Sequence, residues 1–152
     1  MRGIGLASVL RRYRVSALVG ACLTALAACA PELEGYRDLS APIGQTARYT
    51  PEAMAGEWVV QAAFAEIAPE RMVYDATTRR IAFSGQSFPV GAEGLVVMWL
   101  DADLRSAVLG TVDGSAGFVL DRGEVMPADR FAAAVDVLEF YGWDTSQLER
   151  VQ

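Results

Sequence analysis

The sequence predicts a mainly β domain, an antiparallel barrel or sandwich of about six short strands with one late helix packed on its outside. Short β-prone runs separated by turn signals occupy residues 57–122. A single segment near the C-terminus changes to the helical period. Hydrophobic residues make up 53% of the 152-residue chain and charged residues 21%, which is a globular composition and not a disordered one.

Six β-prone runs predict the strands. Thr77 and Thr78 separate the second run from the third, which predicts a hairpin. Asp113-Gly114, a turn pair that hairpins favour, separates the fifth run from the sixth and predicts another. The fourth run is nearly all apolar, so we expect it to be covered on both faces. The runs are 57–64, 71–76, 79–85, 94–100, 104–112 and 117–122.

Residues 127–141 predict the helix, because apolar side chains recur there at spacings of four, three and three and so share one stripe. Pro127 suits the first helical turn, and Gly142 suits the position just after the last one. We expect the stripe to be buried against the sheet, and the stretch 143–152 is a candidate for one more extended piece. The stripe consists of Phe131, Val135, Leu138 and Tyr141.

Residues 1–28 have the pattern of a secretory signal peptide. Residues 1–14 are basic and contain no acid, and residues 15–28 form an uncharged apolar run that ends in small residues. That run is shorter than the about 20 residues needed to span a bilayer. Its end, "LAAC" at 26–29, resembles a bacterial lipobox, which implies that Cys29 becomes the acylated first residue of the mature protein. The alternatives are an N-terminal transmembrane anchor and a cleaved signal followed by a chance cysteine.

Residues 29–50 are predicted to be the lipidated cysteine and a tether, ahead of a domain at 51–152. The segment mixes Pro, Gly and charged residues without periodicity. Tyr36, Leu39 and Ile43 could pack on the domain and order the far end of the tether.

The anchor sets the expected compartment. Ala30 follows Cys29, and no Asp stands there to signal retention in an inner membrane, so by resemblance to Gram-negative lipoproteins the chain is expected at the outer membrane, facing the periplasm. If Cys22 is removed with the signal and Cys29 is acylated, neither of the 2 cysteines is left for a disulfide, a redox centre or a metal site.

Three segments carry a family resemblance. "GEW" at 56–58 opens the first β-prone run, and residues 97–122 contain an Asp-containing turn, a small-residue strand and an aromatic strand that ends in Arg. Residues 131–152 combine the helix with a Gly-aromatic-Asp-X-Ser step. In this order the segments resemble the bacterial lipocalins, the outer-membrane lipoprotein branch related to apolipoprotein D. The resemblance implies a shortened lipocalin-like antiparallel β-barrel or half-barrel with the helix outside.

The resemblance also implies structural roles for three residues. In lipocalins a Trp plugs the closed end of the barrel and an Arg from the last strand lies across its ring. Here these would be Trp58 and Arg122, with Gly56 letting the chain approach closely before the strand begins. A guanidinium over an indole face is worth about 0.5 to 2 kcal/mol. The alternative is that Trp58 is an ordinary core residue.

The chain departs from the family pattern in ways that affect the expected pocket. Leu104 stands where a Tyr is common, and Phe118 stands where the family has a Trp. Only about 30 residues, 65–94, join the first strand to the matched hairpin, where full-length lipocalins fit several more strands. A barrel of fewer strands is narrower and has less room for a ligand.

Composition and charge argue against several function classes. The chain has no His, which excludes Ser-His or Cys-His catalysis and any metal site that needs imidazole. Beyond residue 14 it carries 9 basic against 19 acidic residues, a balance that should repel nucleic acid. The carboxylate pairs Asp101/Asp103 and Asp121/Glu124 are spaced like solvated turn residues. We therefore expect no enzyme, no metal and no cofactor.

The leading hypothesis is a lipid-anchored module that binds or carries a small hydrophobic ligand of the fatty acid or lysophospholipid class. The second is a shortened lipocalin without a pocket, acting as an envelope scaffold or protein-partner module, and a weaker third is a protease-inhibitor lipoprotein. The oligomeric state is left open. The candidate ligand-lining aromatics, for which core filling is the alternative, are Phe64, Tyr74, Phe83 and Trp99.

Overall fold

The computed structural model describes residues 35–151, in which eight antiparallel strands curl into a half-barrel and one C-terminal helix packs on the outside. The predicted fold class, a lipocalin-like half-barrel with an outer helix, is confirmed. The number of strands is eight instead of the six counted from the sequence. No helix within the described range is both long enough and apolar enough to cross a bilayer.

The strands form one sheet in the order β4-β3-β2-β1-β7-β6-β5, with β8 beside β1. Both predicted hairpins are present, as β2–β3 and β6–β7. The elements are α1 (Pro51–Met54), β1 (Gly56–Phe64), β2 (Arg71–Asp75), β3 (Arg80–Phe83), β4 (Gln86–Pro89), β5 (Leu95–Leu100), β6 (Ser106–Thr111), β7 (Gly117–Asp121), α2 (Ala128–Phe140), a 3₁₀ turn (Thr145–Gln147) and β8 (Glu149–Arg150).

Two strands were missed or only suggested by the sequence, because both are short. β4 has four residues, three of them exposed or half-exposed polar or aromatic side chains and the last a proline, so it shows no clean alternation. β8 has two residues and pairs with Ala62 and Ala63 of β1. It is the extended piece that the C-terminal stretch suggested.

β1 contains a bulge between Val60 and Ala62 that changes the face on which its side chains point. Before the bulge Trp58 and Val60 belong to the inner core, and after it Ala62 and Phe64 belong to the outer one. In a regular strand, residues separated by an even number would share one face. The bulge therefore puts the two large aromatics of β1, six positions apart, in different hydrophobic layers.

The inner core lies on the concave face of the sheet, and the outer core lies between the sheet and α2. The helix presents Ala134 and Leu138 as its fully buried residues, so the predicted burial of Leu138 is confirmed. Phe131 is half-buried against the outer core. Val135 is also only half-buried, because the buried stripe passes through Ala134 at the neighbouring position.

Residues 35–50 pack on the domain. Tyr36 and Ile43 contact the outer core, and the backbone N–H of Thr46 donates to the carbonyl of Val97 in β5 over 2.8 Å. The folded domain therefore includes residues ahead of 51, where the sequence placed a tether. The predicted signal peptide and the predicted acylation site, Cys29, lie outside the described residues.

Candidate functional site

The start of β1 carries the contact between Trp58 and Arg122. The Arg122 Cζ lies 3.7 Å from the centroid of the Trp58 ring, so the contact predicted from the family resemblance is present. The indole is fully buried, and its Nε1–H donates to the carbonyl of Met54 at the end of α1 over 2.8 Å. Trp58 thus joins the short helix to the inner core.

Arg122 holds the same region together through its other nitrogens. Its Nη1 donates to the carbonyl of Glu57 over 2.9 Å and its Nη2 to that of Ala53 over 3.2 Å. Gly56 has a φ of +96°, which a residue with a side chain rarely adopts, and a Cβ there would lie 3.4 Å from Arg122 Nη1. Burial lowers the pKa of Arg122 from its ordinary value, but an arginine remains protonated in proteins.

The concave face of the half-barrel is filled by side chains. Tyr74 is 2% exposed, and its hydroxyl is 2.7 Å from that of Tyr49, which approaches from the segment ahead of α1. Burial and the hydrogen bond with Tyr49 raise the pKa of Tyr74 well above its usual value near 10. Other inner-core side chains with less than 2% exposure are Met54, Trp58, Met72, Ile81, Val97, Leu100, Leu109 and Leu120.

Phe83, another predicted ligand-lining residue, also lies on the concave face. It is half-buried, stacks on Phe88 with ring centroids 4.8 Å apart, and meets Phe118 at 5.8 Å. Phe83 and Tyr74 therefore share the inner core, where both contact other core side chains.

Phe64 and Trp99 lie on the opposite, convex face. Phe64 is fully buried between Tyr36 and Trp143, at centroid distances of 5.5 Å and 5.0 Å, and Trp99 packs half-buried against the outer core. The four predicted aromatics do not converge on one pocket, so the predicted lining is corrected for Phe64 and Trp99. The physical reason is the bulges in β1 and β5, which the sequence pattern did not reveal.

The carboxylate pairs differ from the prediction in one respect. Asp103 is exposed, as expected of a turn residue. Asp121 is 1% exposed, and its two oxygens accept from Ser106 Oγ over 2.5 Å and from the N–H of Gly123 over 2.7 Å. The prediction of a solvated Asp121 is wrong, because the strand end that carries it is covered by the β5–β6 turn. The side chain has the role of a buried hydrogen-bond acceptor.

Asp101 shapes the same turn. Its Oδ1 accepts from the N–H groups of Arg105 and Ser106 over 2.6 Å and 2.9 Å, and its Oδ2 is 3.1 Å from Arg130 of α2. Among residues 35–151, no three His, Cys, Asp or Glu side chains are grouped so as to hold a metal ion.

Arg37 is a buried residue that the sequence did not single out. It is 2% exposed, and its guanidinium donates to the carbonyls of Tyr141 (2.9 Å), Val112 (3.1 Å) and Ala41. Burial lowers the pKa of Arg37, while the charge of Asp38 opposes that shift. A single Arg in a polar, aperiodic segment carries no sequence signal of burial, since its partners are backbone carbonyls far along the chain.

A surface groove of about 540 Å³ lies beside Arg37, outside the half-barrel. Three segments form it, 37–43, 92–94 and 111–113, and most of its lining side chains are apolar. Leu39 and Val112 line the groove and are 52% and 45% exposed.

The Trp58–Arg122 contact, the filled inner core and the outer groove are the features of residues 35–151 that bear on function. The first ties α1 to the sheet, the second occupies the concave face, and the third leaves apolar surface in solvent. Neither a family model nor a curated protein matches the chain.

Proposed function

We propose that the protein is an outer-membrane lipoprotein, anchored through an acylated Cys29, whose domain is a shortened lipocalin that acts as an envelope scaffold or protein-partner module. The observation that carries the choice of module over carrier is the filling of the concave face by fully buried side chains. The sequence pattern of residues 1–29 supports the anchor.

The lipocalin assignment is supported by the meeting of Trp58 with Arg122. The two residues are 64 positions apart, and no local propensity requires them to touch. Gly56 adopts the positive φ that brings the chain beneath the arginine. A generic small β-domain would have no need for this combination at the start of its first strand.

The packing of the inner core argues against a ligand carried inside the half-barrel. Small-molecule sites are cavities of about 300 to 1,000 Å³. Here Trp58, Met72 and Tyr74 fill the concave face, and Met54 of α1 is buried among them with no exposed surface. A fatty acid would have to displace these side chains, at a cost in free energy of the order of several buried apolar groups.

Purification of the full chain from its native membrane tests the choice between module and carrier. Mass spectrometry of the intact protein measures covalent acyl chains, and mass spectrometry of the organic extract measures bound lipid. We expect an acylated protein without near-stoichiometric free fatty acid or lysophospholipid. A fatty acid carrier purified in the same way is the positive control. Stoichiometric lipid in the extract would overturn the module and restore the carrier.

A further inference from the structure

Three exposed apolar side chains lie around Arg37. Leu39 and Val112 line the outer groove, and Phe140, which is 73% exposed, precedes Tyr141, whose carbonyl accepts from Arg37 Nε. We call Leu39, Val112 and Phe140 the tethered face. Exposed apolar side chains that cluster in this way mark contact surfaces more often than those that stand alone.

The described chain begins at this face and is firmly held there. The N–H of Tyr36 donates to the carbonyl of Gly114 in the β6–β7 turn over 2.9 Å, and the N–H of Asp144 donates to the carbonyl of Tyr36 over 2.9 Å. Arg37 also forms a β-bridge with Trp143. The chain therefore joins the domain at a fixed point and not through a loose segment.

The tethered face is close in sequence to the proposed anchor. Gly35 follows Cys29 by six positions, a stretch that spans at most about 20 Å when fully extended. A lipid on Cys29 would keep this face nearer to the bilayer than the thickness of a small domain. The length of that stretch identifies the bilayer as the partner that covers the exposed apolar side chains.

We infer that the tethered face rests on the phospholipid surface in which Cys29 is anchored, with Leu39, Val112 and Phe140 inserted into the interfacial layer. This inference rests on the proposed acylation of Cys29. Apolar side chains that enter the interface gain from the burial of their surface, and one acyl chain alone gives only marginal anchoring, so such contacts add to the hold of the lipid.

Charge specifies the kind of lipid surface. Glu93 and Asp113 line the groove, and Asp38 precedes Leu39, whereas the guanidinium of Arg37 is buried and bonded to carbonyls. Carboxylates near a membrane are repelled by anionic lipids. The tethered face therefore fits a bilayer of electrically neutral, zwitterionic phospholipid, and anionic lipid should weaken the contact.

Single-cysteine labelling of the full, acylated chain tests the inference, because residues 35–151 contain no cysteine. The variants Leu39→Cys, Val112→Cys and Phe140→Cys carry an environment-sensitive fluorophore in phosphatidylcholine vesicles. Ile67→Cys and Val73→Cys, at exposed apolar positions elsewhere, are matched controls. We expect acrylamide in the water to quench the three test labels several-fold less than the controls, and lipid-borne nitroxides to quench them more. Replacing part of the phosphatidylcholine with phosphatidylglycerol should reduce this protection.

The outcomes separate the two proposals. Equal acrylamide quenching at all five positions, in a chain whose intact mass includes the acyl chains, overturns the docking and leaves the anchor standing. Protection of the labels at 67 and 73 instead would place a different face on the bilayer and overturn the docking as well. A chain without acyl mass overturns both proposals, since the orientation depends on the anchor.

Discussion

Arg122 serves three contacts at once, with one guanidinium over the Trp58 ring and two hydrogen bonds to carbonyls at Glu57 and Ala53. The indole below it contributes a large, fully buried apolar surface. The two side chains therefore stabilise the same place by different means, the Trp by filling volume and the Arg by covering and bonding.

This difference predicts unequal costs of truncation. Trp58→Ala should lower the free energy of unfolding by about 3 to 5 kcal/mol, because it leaves a cavity in the inner core. Arg122→Ala should cost less, since it removes a cation–π contact, stem packing and bonds to partly exposed carbonyls. Urea denaturation followed by circular dichroism measures both. A larger loss for Arg122→Ala than for Trp58→Ala would contradict the account.

The buried Tyr74 predicts a loss of stability at alkaline pH. Its pKa is raised in the folded state, so the unfolded chain loses the phenolic proton first, at about pH 10. Stability from this group is fully present below that pH and falls as the pH rises further. Urea denaturation at pH 8 and pH 11 should show a smaller alkaline loss for Tyr74→Phe than for the unmodified chain. Equal losses in both proteins would show that Tyr74 does not contribute.

At the scale of elements, α2 depends on the side chains that reach the outer core. Leu138 is fully buried, so Leu138→Ala should cost about 2 to 5 kcal/mol. Val135→Ala is the matched control on the same helix, and it should cost clearly less because Val135 is only half-buried. Thermal or urea unfolding measures the pair. A loss below about 0.5 kcal/mol for Leu138→Ala, the range of surface substitutions, would mean that the helix does not pack as described.

The β6–β7 turn is tied to the N-terminal segment by close contact. Gly114 has a φ of +72°, and a Cβ there would lie 2.7 Å from the Cβ of Arg37. Gly85, in the β3–β4 turn, has a similar φ of +77° with nothing within 4 Å of such a Cβ.

These two glycines form a matched pair of substitutions. Gly85→Ala should cost about 1 to 2 kcal/mol, from the left-handed backbone alone. Gly114→Ala should cost about 1 to 3 kcal/mol more, because the clash displaces Arg37 from its carbonyls. Urea denaturation of both variants gives the difference. Equal costs would mean that the segment at residues 35–37 is not held against the turn.

The strands and the helix could be predicted from the sequence because their signals are local. Periodicity located α2, and Asp113-Gly114 located the second hairpin. The bulges of β1 and β5 could not be predicted in this way, because an extra residue in a largely apolar run leaves the pattern unchanged. The placement of Phe64 and Trp99 on the convex face follows from those bulges.

The candidate site was predictable only where a family pattern supplied a long-range pairing. Trp58 and Arg122 were paired in advance through the lipocalin resemblance, and no argument from periodicity would have joined them. Arg37 had no such guide. Its partners are backbone carbonyls, which every residue possesses, so its burial could be found only from the structure.

At the scale of the whole molecule, the anchor is the feature on which location depends. Cys29→Ala should abolish acylation and move the protein out of the membrane fraction, because the sulfur is the proposed attachment point of the lipid. Intact mass and fractionation of cells measure the two effects. Cys22→Ala is the control and should change neither. An acylated, membrane-bound Cys29→Ala protein would show that the lipid is attached elsewhere.

The bulge in β1 also makes this strand common property of both hydrophobic layers. Trp58 belongs to the concave layer and Phe64 to the convex one, yet the same nine residues of backbone carry them. Neither layer can come apart without removing the central strand of the other. The domain should therefore unfold in one cooperative step, with tryptophan fluorescence and circular dichroism reporting the same midpoint, and amide hydrogens in β1 should exchange only through that global opening.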